Sequence, residues 1–237
     1  MFLLCAIGES EVTTRFWDIQ ILLNNEYTDS ERKAVIVNSR TICNFVEKAI
    51  YPLNHRCEFA RLVIECSKSE KKEEFRKIKD PKMATVYVQN DISGFDENNE
   101  EKLSAFEILI RQGIQVASKY AVLPLDNVFK ALDEFKRKEY VNKWVHADKT
   151  WKSKQLKCLI ECNHKIDEFE LTQKIYKNEK LVQEIVIVRE MPRELLYQQY
   201  LGKLTLEDSN NVVYATKGKV ISIYNIGENR LEIKGVS

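Results

Sequence analysis

Two short motifs, His55-x-Cys57 and Cys162-x-His164, each place an imidazole and a thiol two residues apart. In a strand alternate residues share a face, so each pair forms half of a zinc-compatible donor set. The halves stand more than a hundred residues apart, and neither a Cys-x-x-Cys pair nor a His-Glu-x-x-His helix supports them. The expectation is therefore buried thiols, no metal and no cofactor.

A cysteine hydrolase needs a thiolate beside a base, and His55, His146 and His164 are the only histidines that can serve the six cysteines. The chain contains no Gly-x-Ser-x-Gly elbow, and no Gly-x-Gly-x-x-Gly or Walker loop that would present backbone amides to a phosphate. Acid–base chemistry has candidates in Asp18, Glu58, Glu65, Glu161 and Glu168, but it requires a convergent pair with separated pKa values. Glu65 and Glu161 stand out because each interrupts an apolar strand pattern, a position that on a half-covered antiparallel sheet faces solvent. They also belong to an echo, Val63-Ile64-Glu65-Cys66 and Leu159-Ile160-Glu161-Cys162, which reads either as a duplicated helix–strand–strand unit or as coincidence between common strand patterns.

The clearest compositional anomaly is the segment Lys130 to Lys157, with nine Lys or Arg against four acids, a local charge of +5 in a chain whose net charge is +1. Phe135, Tyr140, Trp144 and Trp151 are interleaved with the cations. Basic side chains neutralise phosphates and aromatics stack on bases, so single-stranded nucleic acid is one ligand class for this segment. Lysines on a helix exterior with core-anchoring aromatics are the structural alternative. An acidic run, Asp91 to Glu101, carries five acids and no bases, and such segregation of charge also steers protein partners.

The elements that must hold these residues follow from periodicity and punctuation. A strand is expected near 14–23. Thr28 and Glu31 then form a capping box that opens a helix running to Tyr51-Pro52. Arg56 to Cys66 and Met83 to Gln89 read as strands. A helix follows the acidic run with Gly113 on a face suited to close packing, and Pro124 opens another helix. From about Trp151 the pattern becomes a meander, Leu156 to Cys162, Phe169 to Tyr176, Leu181 to Val188 and short runs over 203–235, with a short helix after Met191-Pro192.

At 237 residues with 44% hydrophobic and 31% charged residues, the chain has enough apolar mass for a core, and no apolar run approaches bilayer length. The opening Met1 to Ile7 reads as a strand or buried edge rather than an export signal, and six sparse cysteines fit reduced thiols in the cytoplasm. The fold class expected is α+β, with a mixed region of about three helices over 1–148 and a mainly antiparallel region over 149–237 that shares or adjoins its core.

Among functions, the sequence favours a soluble, non-enzymatic module that binds and neutralises another protein, a class that includes toxin-immunity-type inhibitors, with no membrane insertion. Its contact residues would be Tyr140, Trp144, Trp151 and Tyr197 with Lys136, Arg137 and Lys138, since Tyr and Trp supply most interface hot spots. Binding of single-stranded nucleic acid through 130–157 is the first alternative, and a Cys- or carboxylate-dependent hydrolase the second.

Overall fold

A computed structural model describes residues 13–70, 74–78, 82–92 and 99–234. The opening Met1 to Ile7 segment, Cys5 and most of the acidic run lie outside the described residues. The chain is α+β and divides between Arg137 and Lys138 into two compact units.

The first unit begins with β1 (Thr14–Arg15) and β2 (Asp18–Leu23), followed by α1 (Asp29–Asn38) and α2 (Arg40–Ile50). After them come β3 (Arg56–Cys57), β4 (Arg61–Ser67), β5 (Phe75–Ile78), β6 (Met83–Gln89), α3 (Asn99–Ser118) and α4 (Leu125–Arg137). Its main sheet has the order β2-β4-β6-β5, with β2, β4 and β6 parallel and β5 antiparallel to β6. Burial along β4 is nearly continuous, through Leu62, Val63, Ile64 and Cys66. That is the signature of a strand covered on both faces, which parallel sheets require.

The capping box at Thr28 and Glu31 forms as expected. The helix it opens breaks at Ser39, giving α1 and α2 where the sequence reads as one helix. A helix over 29–50 would be roughly 33 Å long at 1.5 Å per residue, against about 20 Å for the six-residue strand it must recross. Dividing it lets α2, which buries Ile42, Cys43, Val46 and Ile50, match the strand. Gly113 of α3 sits against β4, where an added Cβ would lie 2.6 Å from Cγ1 of Ile64.

β2 is an edge strand, and the outward amide and carbonyl of its Ile19 are taken up by α2. Arg40 Nη1 donates to the Ile19 carbonyl at 3.0 Å, and the Ile19 amide donates to Glu47 Oε1 at 3.0 Å. The two side chains also pair with each other at 2.9 Å. At Ile19 they stand in for a neighbouring strand. Burial pushes the Glu47 carboxyl up to about 7, against the opposing pull of Arg40.

The second unit runs through β7 (Lys143–Trp151), β8 (Leu156–His164), β9 (Phe169–Lys177) and β10 (Lys180–Glu190) to the short α5 (Glu194–Tyr197). It continues with β11 (Lys203–Glu207), β12 (Asn211–Thr216), β13 (Lys219–Asn225) and β14 (Arg230–Ile233). The expected meander and short helix are present, arranged as two four-stranded antiparallel sheets, β7 to β10 and β11 to β14. Their inner faces share one core, from Cys158, Ile160, Cys162 and Leu171 on one side to Val212, Tyr214, Ile221 and Tyr224 on the other. Gln173 and Ser222, both fully buried, join the sheets through a 2.5 Å bond from Ser222 Oγ to Gln173 Oε1. Residues 143–148, read from sequence as part of the mixed region, belong to the strand Lys143–Trp151 that pairs with β8. The first unit therefore ends at Arg137, eleven residues before the expected 148.

The echo at 63–66 and 159–162 falls on unlike strands. β4 is parallel to both its neighbours, whereas β8 follows β7 and pairs antiparallel on both sides, so no helix–strand–strand unit is repeated.

Two outcomes are expected. Gly113→Ala overpacks the α3–β4 contact and lowers unfolding free energy by about 1–3 kcal/mol, with partial recovery in combination with Ile64→Val, read by urea denaturation. The raised carboxyl of Glu47 favours the folded state fully below its ordinary value of 4.5 and loses that contribution as pH rises through about 7. Wild-type stability relative to Glu47→Gln should fall across that interval, and a flat difference would show that the carboxyl is not displaced.

Candidate functional site: the outer face of the β7–β10 sheet

The outer face of this sheet is set by the register of its four strands. On β8 the residues Leu156, Cys158, Ile160, Cys162 and His164 point into the core, leaving Lys157, Leu159, Glu161 and Asn163 outside. Pairing extends this alternation across the sheet. Thr150, Lys157, Tyr176 and Leu181 form one outward row, and Asp148, Leu159, Lys174 and Glu184 form the next. Cross-strand ion pairs link them, Lys157 to Asp148 at 3.1 Å and Lys174 to Glu161 and Glu184 at 3.3 Å each. Against the cost of partial burial, those two carboxylates hold the Lys174 ammonium above its ordinary value.

The β7–β8 and β9–β10 connections leave the sheet at the same end, joined by a bond from the Asn178 amide to the Gln155 carbonyl at 2.9 Å. Between them lies an open groove of about 890 Å3, lined by Thr150, Lys152, Lys157, Leu159, Tyr176 and Glu179 among others. The tight loop of Asn178 and Glu179 carries φ of 50° and 64° at its two residues. Both are left-handed, as a two-residue hairpin of matching twist demands. Of the lysines at this end, Lys152 and Lys157 line the groove together with Glu179, whereas Lys149, Lys177 and Lys180 pair with or beside the core-facing Cys158 and Leu156 and so start from the opposite face of the sheet.

The aromatics singled out by sequence do not form an exposed stripe. Trp144 and Trp151 face inward and pack on the core, Trp144 with its ring 6.0 Å from Phe169. Tyr197 is buried, stacked on Phe169 at 3.8 Å, and offers no surface to a partner in this conformation. Phe135 is fully buried in the first unit. Tyr140 is half-buried in a left-handed turn with Glu139. Lys136 and Arg137 are exposed in the last turn of α4, where they complement the helix dipole, and Lys138 is exposed just beyond it. Tyr176, Leu181, Lys177 and Lys180 are the residues that sequence reasoning missed. Asn178-Glu179 between two period-two runs was the available signal, because a hairpin there brings Lys177 opposite Lys180.

The thiols and imidazoles are committed to structure. All five described cysteines are buried. Burial pushes the thiols of Cys57, Cys66 and Cys158 up, that of Cys158 to about 12, the reverse of nucleophile activation. Nε2 of His55, His146 and His164 meets the carbonyl of Val122, Gly202 and Pro192 at 2.8, 3.0 and 3.1 Å. A carbonyl only accepts, so Nε2 carries the proton in each ring. His55 and Cys57 belong to the first unit and Cys162 and His164 to the second. Among the described residues no group of three or more His, Cys, Asp or Glu is placed to hold a metal ion. Of the carboxylates, Asp18 meets Arg61 at 2.5 Å, Glu58 meets Lys77, Glu168 meets Lys165 at 2.5 Å, and Glu65 is half-buried on β4.

A second polar cluster lies at the carboxyl ends of the parallel strands, where open α/β sheets commonly bind ligands. There the Glu26 carboxylate accepts from the Lys68 amide at 2.8 Å, the Ser69 amide at 3.2 Å and Asn24 at 3.0 Å, and from the Ser69 hydroxyl. The Ser69 hydroxyl and Asn24 amide hold that carboxyl down to about 2. Its acceptors are thereby spent on tying the loop after β2 to the loop after β4. No helix of the described residues is long and apolar enough to cross a membrane.

Comparison with known proteins finds no matching family model, no matching curated protein and no matching solved structure.

If the thiols are core groups, a water-soluble disulfide reagent should label none of Cys43, Cys57, Cys66, Cys158 and Cys162 in the native protein and all five after denaturation. Rapid native labelling of any of them would show that its enclosure opens.

Proposed function

We propose that this protein is a non-enzymatic protein-binding module that neutralises or sequesters its partner, in the manner of a toxin-immunity-type inhibitor. The observation that carries this reading is the outer face of the β7–β10 sheet. It sets the ring of Tyr176 and the exposed side chains of Leu181 and Val145 among lysines and glutamates on a hydrogen-bonded scaffold. Exposed aromatic and aliphatic side chains set beside charged ones supply the anchors and the polar surround that a protein interface uses. The burial and raised values of the thiols and the protonated Nε2 of each histidine favour binding over thiol catalysis. Cysteines held as thiols rather than disulfides suit the reducing cytoplasm.

The basic segment also attracts nucleic acid, but sequence-tolerant single-strand binding depends on exposed rings for stacking. Phe135 and Tyr197 are buried, and Trp144 and Trp151 pack on the core, so they favour the protein reading.

The test is affinity capture from host lysate with and without nuclease, followed by reconstitution of the recovered protein with the purified chain. A stoichiometric complex that survives nuclease and is weakened about tenfold or more by Tyr176→Ser is expected, the loss typical of an interface anchor. Recovery that vanishes with nuclease, or a complex indifferent to Tyr176→Ser and to Leu181→Ser, would overturn the assignment of this face.

A further inference from the structure

We propose that β10 is the seam of a homodimer, in which a second copy of this chain pairs antiparallel with it about a two-fold axis at Ile185. The inference goes beyond the binding-module reading and does not depend on it. Its first support is the state of the edge. β10 ends its sheet, and among the described residues β9 is its one strand partner. It runs for 11 residues without a proline, whereas the outer strands of the facing sheet, β11 and β14, have five and four. Shortness and charge protect an edge from pairing, and length invites it. Between Leu181 and Val188 the one charged side chain is Glu184, with Leu181 and Val182 exposed and Ile185 and Val186 half-buried. The opposite edge, β7, carries Lys143, Asp148 and Lys149 and is tied by His146 to the Gly202 carbonyl, next to β11, at 3.0 Å.

The second support is self-complementarity. Laid antiparallel against itself over its full length, the strand sets Lys180 opposite Glu190 at both ends, Leu181 opposite Arg189, Glu184 opposite Val186 and Ile185 opposite itself. No like charges meet. Moving the axis half a residue toward Lys180 would set Lys180 against Arg189, and a full residue would set Glu184 against Glu184. Moving it as far toward Glu190 pairs no charges at all. Lys180 is exposed and makes no ion pair among the described residues. The Glu190 carboxylate accepts from the Met191 amide at 2.8 Å and the Tyr200 hydroxyl at 3.4 Å, and no described cation pairs with it. Opposite charges directly across a ladder stabilise it, and two-fold symmetry makes each such pair twice.

The third support is that the faces agree. Lys180, Ile185 and Glu190 pair with Lys177, Gln173 and Phe169, the core-side row of β9, while Leu181, Glu184, Val186 and Arg189 pair with Tyr176, Lys174, Thr172 and Glu170 of the outer row. Residues directly opposite in a ladder project to the same side. In the proposed register Lys180 meets Glu190 and Ile185 meets itself on the core side, and Leu181 meets Arg189 and Glu184 meets Val186 on the outer side. The irregular stretches at Leu181 to Gln183 and Val186 to Val188 also oppose one another, Val182 against Val188 and Gln183 against Ile187. Two four-stranded sheets thereby join into one, with the Tyr176 row of each copy still facing outward.

Sedimentation equilibrium of the full chain tests the inference. The expected result is a reversible dimer whose dissociation constant rises about tenfold or more in Lys180→Glu and in Glu190→Lys, since each change sets like charges opposite one another twice. The double variant Lys180→Glu/Glu190→Lys should dimerise again, and an equimolar mixture of the two single variants should form the heterodimer, a rescue that a general loss of folding could not give. Under mild oxidation Ile185→Cys, on the axis, should form a disulfide between copies, whereas Arg189→Cys should cross-link no more than wild type. A monomer at every concentration would overturn the inference, including one whose β10 edge a captured host protein covers. So would a dimer that both single variants leave unchanged with native circular dichroism, or equal cross-linking through positions 185 and 189.

Discussion

The two-residue period of β8 is the constraint on which the candidate site depends. Once Leu156, Cys158, Ile160 and Cys162 are committed to the core shared with β12 and β13, every intervening side chain must face outward. Register then propagates this choice through β7 and β9 to β10, with the irregularities at Val145 to Ala147, Leu181 to Gln183 and Val186 to Val188 adjusting phase where the sheet bends. A slip of one residue would bury Lys157 and Glu161 and expose the cysteines. The energetic gap between the two registers is the burial of four side chains, each worth roughly 1.5–3 kcal/mol for the larger apolar ones. The outer face is therefore a by-product of core formation, and its chemistry is whatever the odd-numbered positions of β8 carry.

The same demand for satisfied backbone shapes the first unit differently. A parallel edge strand cannot leave its outward amides and carbonyls open without inviting another chain. At β2 an arginine and a glutamate from α2 perform the role of the missing neighbour at Ile19. Both side chains come from α2, which starts at Arg40 immediately after the break at Ser39. In the second unit the equivalent device is a tyrosine. Tyr214 Oη donates to the Tyr200 carbonyl at 2.9 Å and accepts from the Gly202 amide at 2.8 Å, which fixes the connection entering β11. Gly202 is obligatory there, since a Cβ would lie 2.2 Å from the Ala215 carbonyl oxygen.

Charge separation is the compositional property that the fold redistributes. The basic cluster read in the sequence over 130–157 is divided by the structure between the last turn of α4 and the β7–β8 hairpin. The hairpin part gains Lys177 and Lys180 from the adjacent turn. At the same time three of the rings interleaved with those lysines, Phe135, Trp144 and Trp151, pack into or on the cores, while Tyr140 stays half-buried in its turn. The segment thus keeps its charge, while Phe135, Trp144 and Trp151 are committed to packing.

Much of the architecture was legible locally. The capping box at Thr28 and Glu31, the strand Met83–Gln89, the close-packing role of Gly113, the proline-led α4 and the C-terminal meander all follow from short-range pattern, because they depend on backbone preferences and one-face burial within a few residues. What sequence alone could not determine was pairing. The parallel order β2-β4-β6, the strand character of 143–151 and the meeting of two hairpin tips at one end are long-range choices made by which faces must be covered together. Composition and periodicity determined an α+β chain with segregated charge. Tertiary structure alone decided that Trp144, Trp151 and Tyr197 serve the core while Tyr176 lines the groove, because a side chain's exposure depends on the strand opposite it and not on its own neighbours in sequence.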